Sequence, residues 1–184
     1  MKDKYCEELL HAENLVRLFE KDGLKQQYDE AYLYLRYLKE KKNVFLSQEI
    51  LHELKGRIAN ELVNRLLLKA ETTLLNAHFI EALISSTRLL TPENKRAYTA
   101  RLNDLASYHV ANKLILGILS EIENTDQTKV VNKLDFTKKV IFKISNNYGL
   151  FYRKQLLQNI ERIESILTLK NQTHVEKNES KYVV

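Results

Sequence analysis

An all-α fold of six to seven antiparallel helices, two of them long, is what this sequence predicts. Apolar residues recur at three- and four-residue spacing along most of the chain, which is the period of a helix with one buried side. Four Gly and a single Pro among 184 residues leave little turn chemistry for a strand-rich fold, because tight turns draw on both. Hydrophobic residues make up 44% and charged residues 29%, an ordinary balance for a chain that buries a core. The expected organisation is one domain over residues 1–170 and a disordered polar tail over 171–184.

Each element has its own signal. From about Asp3 to Asp22, Leu9, Leu10, Leu15, Val16, Leu18 and Phe19 form an amphipathic helix, and Gly23 offers the left-handed conformation that ends one. From about Gln26 to Lys42, a second helix carries Tyr28, Ala31, Tyr32, Leu35 and Leu38, with Tyr34 and Tyr37 widening the aromatic surface. The two should pair as a hairpin. The stretch from Ser47 to Asn76 is the longest uninterrupted pattern, with Ile50, Leu54, Ile58, Leu62, Leu66, Ala70 and Leu74 at every fourth position. Four-residue steps overshoot a 3.6-residue turn, so Leu51, Val63, Leu67 and Leu75 broaden the face. Ser47 is placed to cap it.

A shorter helix follows from His78 to Leu90. Thr91-Pro92-Glu93 then opens the second long helix, since Thr caps, Pro fits the first helical position and Glu complements the helix dipole. It runs to about Glu123 through Tyr98, Leu102, Leu105, His109, Leu116, Leu119 and Ile122. Beyond the polar turn 124–128, the stretch KVVNKLDFTKKVIFKISNNYG reads as helix with a break at Asp135; its lysines interrupt the alternation a strand would need. A last helix from Leu150 to Leu169 places Leu156, Leu157, Ile160, Ile163 and Leu167 inward.

Two stretches repeat at an offset of 51 residues: Tyr28-Asp29-Glu30-Ala31 with Leu38, and Phe79-Ile80-Glu81-Ala82 with Leu89. They resemble the second helix of a tetratricopeptide hairpin, where an aromatic and an Ala three residues on pack neighbouring helices. That resemblance implies a helical array that binds a partner protein or peptide. Tyr28, Tyr32, Tyr34, Tyr37, Phe79 and Glu81 are the candidate contacts. Separately, Glu49-Ile50-x-His52-x-Leu54-Lys55, followed by Arg101-Leu102-x-x-Leu105-Ala106-x-x-His109 and Leu134-Asp135-Phe136, is similar in order to the phosphoacceptor hairpin of two-component sensor kinases. The likeness covers about residues 46–145 and implies phosphoryl transfer on His52. The Asn-rich and Gly-rich boxes of the kinase's ATP-binding domain do not occur in the sequence, so self-phosphorylation is not implied.

The five histidines never fall three or four residues apart, which leaves no two-His helical metal pair. Glu8-x-x-His11 and Glu49-x-x-His52 match a di-iron ligand spacing, but no helix precedes Glu8 to supply the Glu that such a site needs. No metal and no cofactor are expected. The lone Cys6 has no partner for an internal disulfide and reads as an inert thiol. No apolar run reaches the roughly 18 residues of a membrane span, and MKDKYCEELLHAEN is charged where a signal peptide is apolar. A cytoplasmic protein without a membrane partner is expected.

The net charge of +5 is unevenly placed: residues 129–170 hold nine Lys and Arg against three Asp and Glu. Lys138, Lys139, Lys143, Arg153 and Lys154 lie among Phe136, Phe142, Tyr148, Phe151 and Tyr152. Cations neutralise phosphates and rings stack on bases, so nucleic acid is the alternative partner for this segment. The simpler expectation is a solvated lysine face over core aromatics. Taken together, the sequence favours a non-catalytic interaction or regulatory adaptor module whose partner is a protein or peptide, with a second copy of the chain among the candidates.

Overall fold

The computed structural model describes residues 2–41, 48–124, 126–145 and 149–179. Seven α-helices account for nearly all of them, and no strand occurs among the described residues. They are α1 Lys2–Asp22, α2 Lys25–Glu40, α3 Gln48–Thr73, α4 Asn76–Leu89, α5 Pro92–Glu121, α6 Gln127–Phe142 and α7 Leu150–Glu179. Ser47, expected to cap α3, lies outside the described residues, as does Tyr148. The helix α7 runs into the segment 171–184 that was expected to be a disordered tail, and residues 180–184 lie outside the description. The chain gathers into two compact units, Met1–Thr99 and Ala100–Val184, with the division falling inside α5.

In the first unit α1, α2 and α3 pack on one another, and α4 packs on α3. The core joins Ala12, Leu15, Val16 and Phe19 of α1 to Ala31, Leu35 and Leu38 of α2 and Leu51, Leu54 and Ile58 of α3. Further along α3 the buried positions are Ala59, Val63, Leu67 and Ala70. This corrects the four-residue stripe: Ile50 is exposed, Leu62 and Leu66 are only partly covered, and the face follows Ile58, Val63 and Leu67. A 3.6-residue helix carries a four-residue stripe out of register within a few turns. The three consecutive leucines 66–68 hide which one turns inward. On α4 the buried residues are the small Ala82 and Ser86, and small side chains at an interface let two helix backbones approach closely.

The turns are held by specific partners. Gly23 has φ +70°, and its N–H donates to Phe19 O at 2.8 Å, the left-handed close of α1 that the sequence implied. Gln27 Oε1 accepts from the Leu24 N–H at 3.3 Å, and its amide donates to Asp22 at 3.0 Å. Arg65 of α3 donates to the Glu20 carbonyl at 2.9 Å, and Arg57 holds the Glu20 carboxylate through two bonds of 2.8 and 2.6 Å. The α3–α4 turn bends at Leu74, φ +53°, without the glycine that would announce it. Thr91 Oγ1 accepts from the Asn94 N–H at 3.4 Å, so α5 begins as its capping signal predicts, and Tyr98 Oη donates to Asn60 O of α3 at 3.2 Å.

The second unit is built from the remainder of α5 with α6 and α7. Leu102, Leu105, Tyr108, Ala111, Ile115, Ile118 and Ile122 are buried on α5, whereas Leu116 and Leu119, expected inside, are exposed. The run LILGIL is apolar all round, so periodicity alone could not orient it. From α6, Val130, Leu134, Thr137, Val140 and Ile141 are buried, and from α7 Tyr152, Leu156, Ile160, Ile163 and Leu167. Asp135 does not break α6: the helix is continuous, and Asp126 caps it by accepting from the Thr128 N–H at 2.9 Å.

Two predictions test this arrangement. Leu67→Ala should cost about 2–5 kcal/mol, the usual range for a buried leucine, and Leu68→Ala, 55% exposed, should stay within about 0.5 kcal/mol. Equal losses in chemical denaturation would place the wrong side of α3 inward. Among the glycines, Gly23→Ala forces a side chain into a positive φ and against the Arg65 guanidinium, and should destabilise by about 1–3 kcal/mol. Gly56→Ala meets nothing within 4 Å and should stabilise α3 by about 0.5–1 kcal/mol. Denaturation midpoints moving in the same direction for both would contradict the assignment.

Candidate functional site

Two surfaces carry residues that the sequence marks for binding, one in each unit. On the first, α2 presents its tyrosines in two pairs. Tyr28 is partly buried, meets Phe19 edge-on at 5.5 Å and stacks on Tyr32 at 5.9 Å. Tyr34 is also partly buried, meets the His11 ring edge-on at 4.7 Å and lies 6.0 Å from Tyr37. Positions 28 and 32 fall on one flank of the helix and 34 and 37 on the other, because one residue is a rotation of about 100°. They do not form a single groove. Burial raises the phenol pKa of both Tyr28 and Tyr34; Tyr32 and Asp29 add to it at Tyr28, and at Tyr34 Glu8 and Tyr37 add to it while Lys41 opposes.

Between these flanks α2 leaves Leu33 uncovered, with Tyr37 four residues on and the Arg36–Glu40 ion pair beside it at 2.7 Å. Lys41 closes the end of the hairpin. Its ammonium pairs with Glu8 of α1 at 2.8 Å and lies 5.1 Å from the Tyr37 ring centre, and these partners raise its pKa. Leu10 and Leu18 of α1 and Leu24 of the connecting turn are exposed as well. Phe79 and Glu81 sit on α4, partly buried and exposed respectively. Since α4 packs on α3, the fold does not gather them with the tyrosines. Ala31 and Ala82, the small residues of the two similar stretches, are both buried.

Two further expectations concern histidines. His52 is exposed on α3, as a phosphoacceptor requires and as any surface histidine is. His109, on the candidate second helix of that hairpin, is half-buried beside Tyr108 at 5.3 Å. Burial lowers its pKa. Among the described residues no group of three or more His, Cys, Asp and Glu is placed to hold a metal ion, and Glu8 of the first Glu-x-x-His spacing is committed to Lys41.

The second surface is the outward side of α6 with the start of α7. The fold overturns the expectation of core aromatics: Phe136 is 57%, Phe142 61% and Phe151 75% exposed, and among the described residues of this group only Tyr152 is buried. Helix α6 already has an apolar side in Val130, Leu134, Thr137 and Ile141, so Phe136 and Phe142 fall outside it, and Phe151 stands on the first turn of α7. The lysines divide into two sets. Lys133 pairs with Glu121 of α5, and Lys138 with Glu164 of α7 at 2.6 Å. Lys139, Lys143 and Lys154 are exposed, and no carboxylate reaches them within ion-pair distance among the described residues. Arg153 lies over the Phe142 ring at 5.1 Å and donates to Ile144 O at 3.4 Å.

Beneath this surface Asp104 of α5 is buried and accepts from both the N–H, at 2.9 Å, and the hydroxyl of Ser145. That carboxylate fixes the exit of α6, and no sequence pattern announced it. A shallow cavity of about 330 Å³ opens among Gln127, Thr128, Val131, Asn132 and Leu167, with no ionisable group in its lining among the described residues. No protein-family model matches the chain, and no curated protein or solved structure gives a significant match. The fold thus defines an all-α protein with helices too polar to cross a membrane among the described residues.

The buried imidazole gives a pH prediction. A folded-state pKa below the unfolded value of about 6.5 means the unfolded chain takes up the proton first. The contribution of His109 is therefore complete above pH 6.5 and lost as pH falls through the depressed folded value. Thermal midpoints measured from pH 7.5 down to 5 should fall less in His109→Gln than in the parent. An identical pH dependence in the two would show that His109 is not the buried neutral group.

Proposed function

We propose that the chain is a non-catalytic helical interaction module that binds a partner protein or peptide through the outer side of the α1–α2 hairpin. One observation carries this reading: α2 leaves Leu33 and Tyr37, four residues apart, uncovered in the same segment that holds the stacked tyrosines. Adjacent turns of a helix set such a pair side by side, and tyrosine is enriched among the residues that dominate binding energy because it offers a large rigid apolar body with a polar tip. The hairpin behind it is firmly built. Phe19, Leu35 and Leu38 pack its inner side, and the Lys41–Glu8 pair ties α1 to α2, so a partner would meet a preorganised surface and lose little ordering entropy on binding.

The test uses a photo-crosslinking amino acid at position 33 in the full chain, expressed in its native cell. A discrete cross-linked protein is expected. Binding of that protein, measured in purified form, should weaken by about 2 kcal/mol or more in Leu33→Asp/Tyr37→Asp, as loss of a central contact does, with an unchanged thermal midpoint. Equal affinity in parent and variant would remove the hairpin from the interface. His52→Ala should leave the affinity within about 0.5 kcal/mol, the usual effect of a surface substitution. A phosphotransfer role demands instead that a phosphorylated receiver domain deliver an acid-labile label to the chain that His52→Ala loses; a module of the proposed kind acquires none.

A further inference from the structure

We infer that the outward face of α6 and the first turn of α7 form a second surface that binds single-stranded nucleic acid, independent of the hairpin. Charge is the first ground. Helix α6 and its C-terminal Lys143 carry five lysines against the single carboxylate Asp135, and the fold spends two of the five, Lys133 and Lys138, on ion pairs with neighbouring helices. Of the other three, Lys129 is exposed in the first turn of α6, and Lys139 and Lys143 lie on the outer side near its end, with Lys154 of α7 exposed beyond them. Such cations favour a polyanion, because each phosphate they neutralise releases condensed counterions.

The phenylalanines decide which polyanion. Phe136, Lys139 and Lys143 stand at spacings of three and four residues, on successive turns of one face. Phe142 lies near the end of the same helix, about 9 Å further along the axis than Phe136 at 1.5 Å per residue. Phe151 is the most exposed of the three, and the Arg153 guanidinium lies over the Phe142 ring. Rings interleaved with cations match a chain in which unstacked bases alternate with phosphates. A duplex offers no such bases, since they are stacked inside it. An anionic bilayer calls for an unbroken apolar stripe with cations along its margins, whereas here lysines interrupt the rings on the face itself. The apolar side of α6 is already buried in the core, and Phe136 and Phe142 lie outside it; Phe151, on the first turn of α7, is exposed as well.

The experiment is fluorescence anisotropy of the full chain with fluorescein-labelled 20-nucleotide U and dT strands, a duplex of the same length, and sedimentation with vesicles containing phosphatidylserine. Single strands should bind, with affinity falling on a log–log salt plot at a slope of about −2, as expected for three neutralised phosphates on a single strand. Phe136→Ala/Phe142→Ala/Phe151→Ala and Lys139→Ala/Lys143→Ala/Lys154→Ala should each weaken binding at least tenfold. These positions are exposed, and helicity and thermal midpoint should be unchanged. Lys69→Ala/Lys113→Ala, exposed lysines elsewhere, should bind as the parent does. RNA and DNA strands binding alike, or one preferred, both satisfy the inference. No binding at low salt overturns it; so does duplex bound as tightly as single strand, binding insensitive to the phenylalanine variant, or phenylalanine-dependent attachment to vesicles without attachment to oligonucleotides.

Discussion

Burial of one side of α3 is the interaction on which the first unit depends. Three other helices need that side: α1 and α2 pack along its N-terminal half, and α4 along the remainder. Leu51, Leu54, Ile58, Val63 and Leu67 are each nearly or fully removed from water, and each such side chain contributes about 1.5–3 kcal/mol relative to leaving it exposed. Because α3 is continuous, the same rigid rod sets the positions of the tyrosine hairpin and of α4. The polar ties are secondary but directional. Arg57 and Arg65 both reach Glu20, one its carboxylate and one its carbonyl, and so fix how the end of α1 sits against α3.

The second unit repeats this logic with a polar addition. Helices α5, α6 and α7 bury complementary aliphatic stripes, and Asp104 binds the backbone and hydroxyl of Ser145 at the exit of α6. A buried carboxylate that accepts from two donors is satisfied, whereas removing those donors would leave a charge in an apolar setting. Lys133 and Lys138 do comparable work at the surface, joining α6 to α5 and α7. The effect is a sorting of the lysines. Those on the flanks of α6 meet carboxylates of neighbouring helices, and those facing outward meet none among the described residues.

Both surfaces arise from the same geometric limit. A helix in so small a unit has neighbours over only part of its circumference, so a sequence with apolar residues on more than one side must expose some of them. On α2 these are Leu33 and Tyr37, and on α6 Phe136 and Phe142. The two sets differ in their surroundings. Leu33 and Tyr37 adjoin a self-neutralising Arg36–Glu40 pair, while the phenylalanines adjoin lysines that have no carboxylate partner among the described residues.

The sequence by itself determined the helical class and the position of every helix to within a few residues at most starts, because periodicity, Gly23 and Thr91-Pro92 act locally. Periodicity also found most of the inner face of α7: Leu156, Ile160, Ile163 and Leu167 are buried, while Leu157, expected inward beside Leu156, is only partly covered. The end of that helix was another matter, since residues 171–179 are too polar to signal a packed element and yet continue the helix. Where apolar residues crowd together, as at Leu66, Leu67 and Leu68 or from Leu114 to Leu119, local pattern offers several faces of similar merit. Only packing against a neighbouring helix selected among them. The same holds for the basic segment: composition placed lysines and aromatics together, but whether a ring turns inward depends on which side of α6 meets α5 and α7. Asp104 and Ser145 lie 41 residues apart, and no local rule connects them. Their pairing, like the exposure of Phe136 and Phe142, was decided by tertiary structure, because helices choose their buried sides jointly.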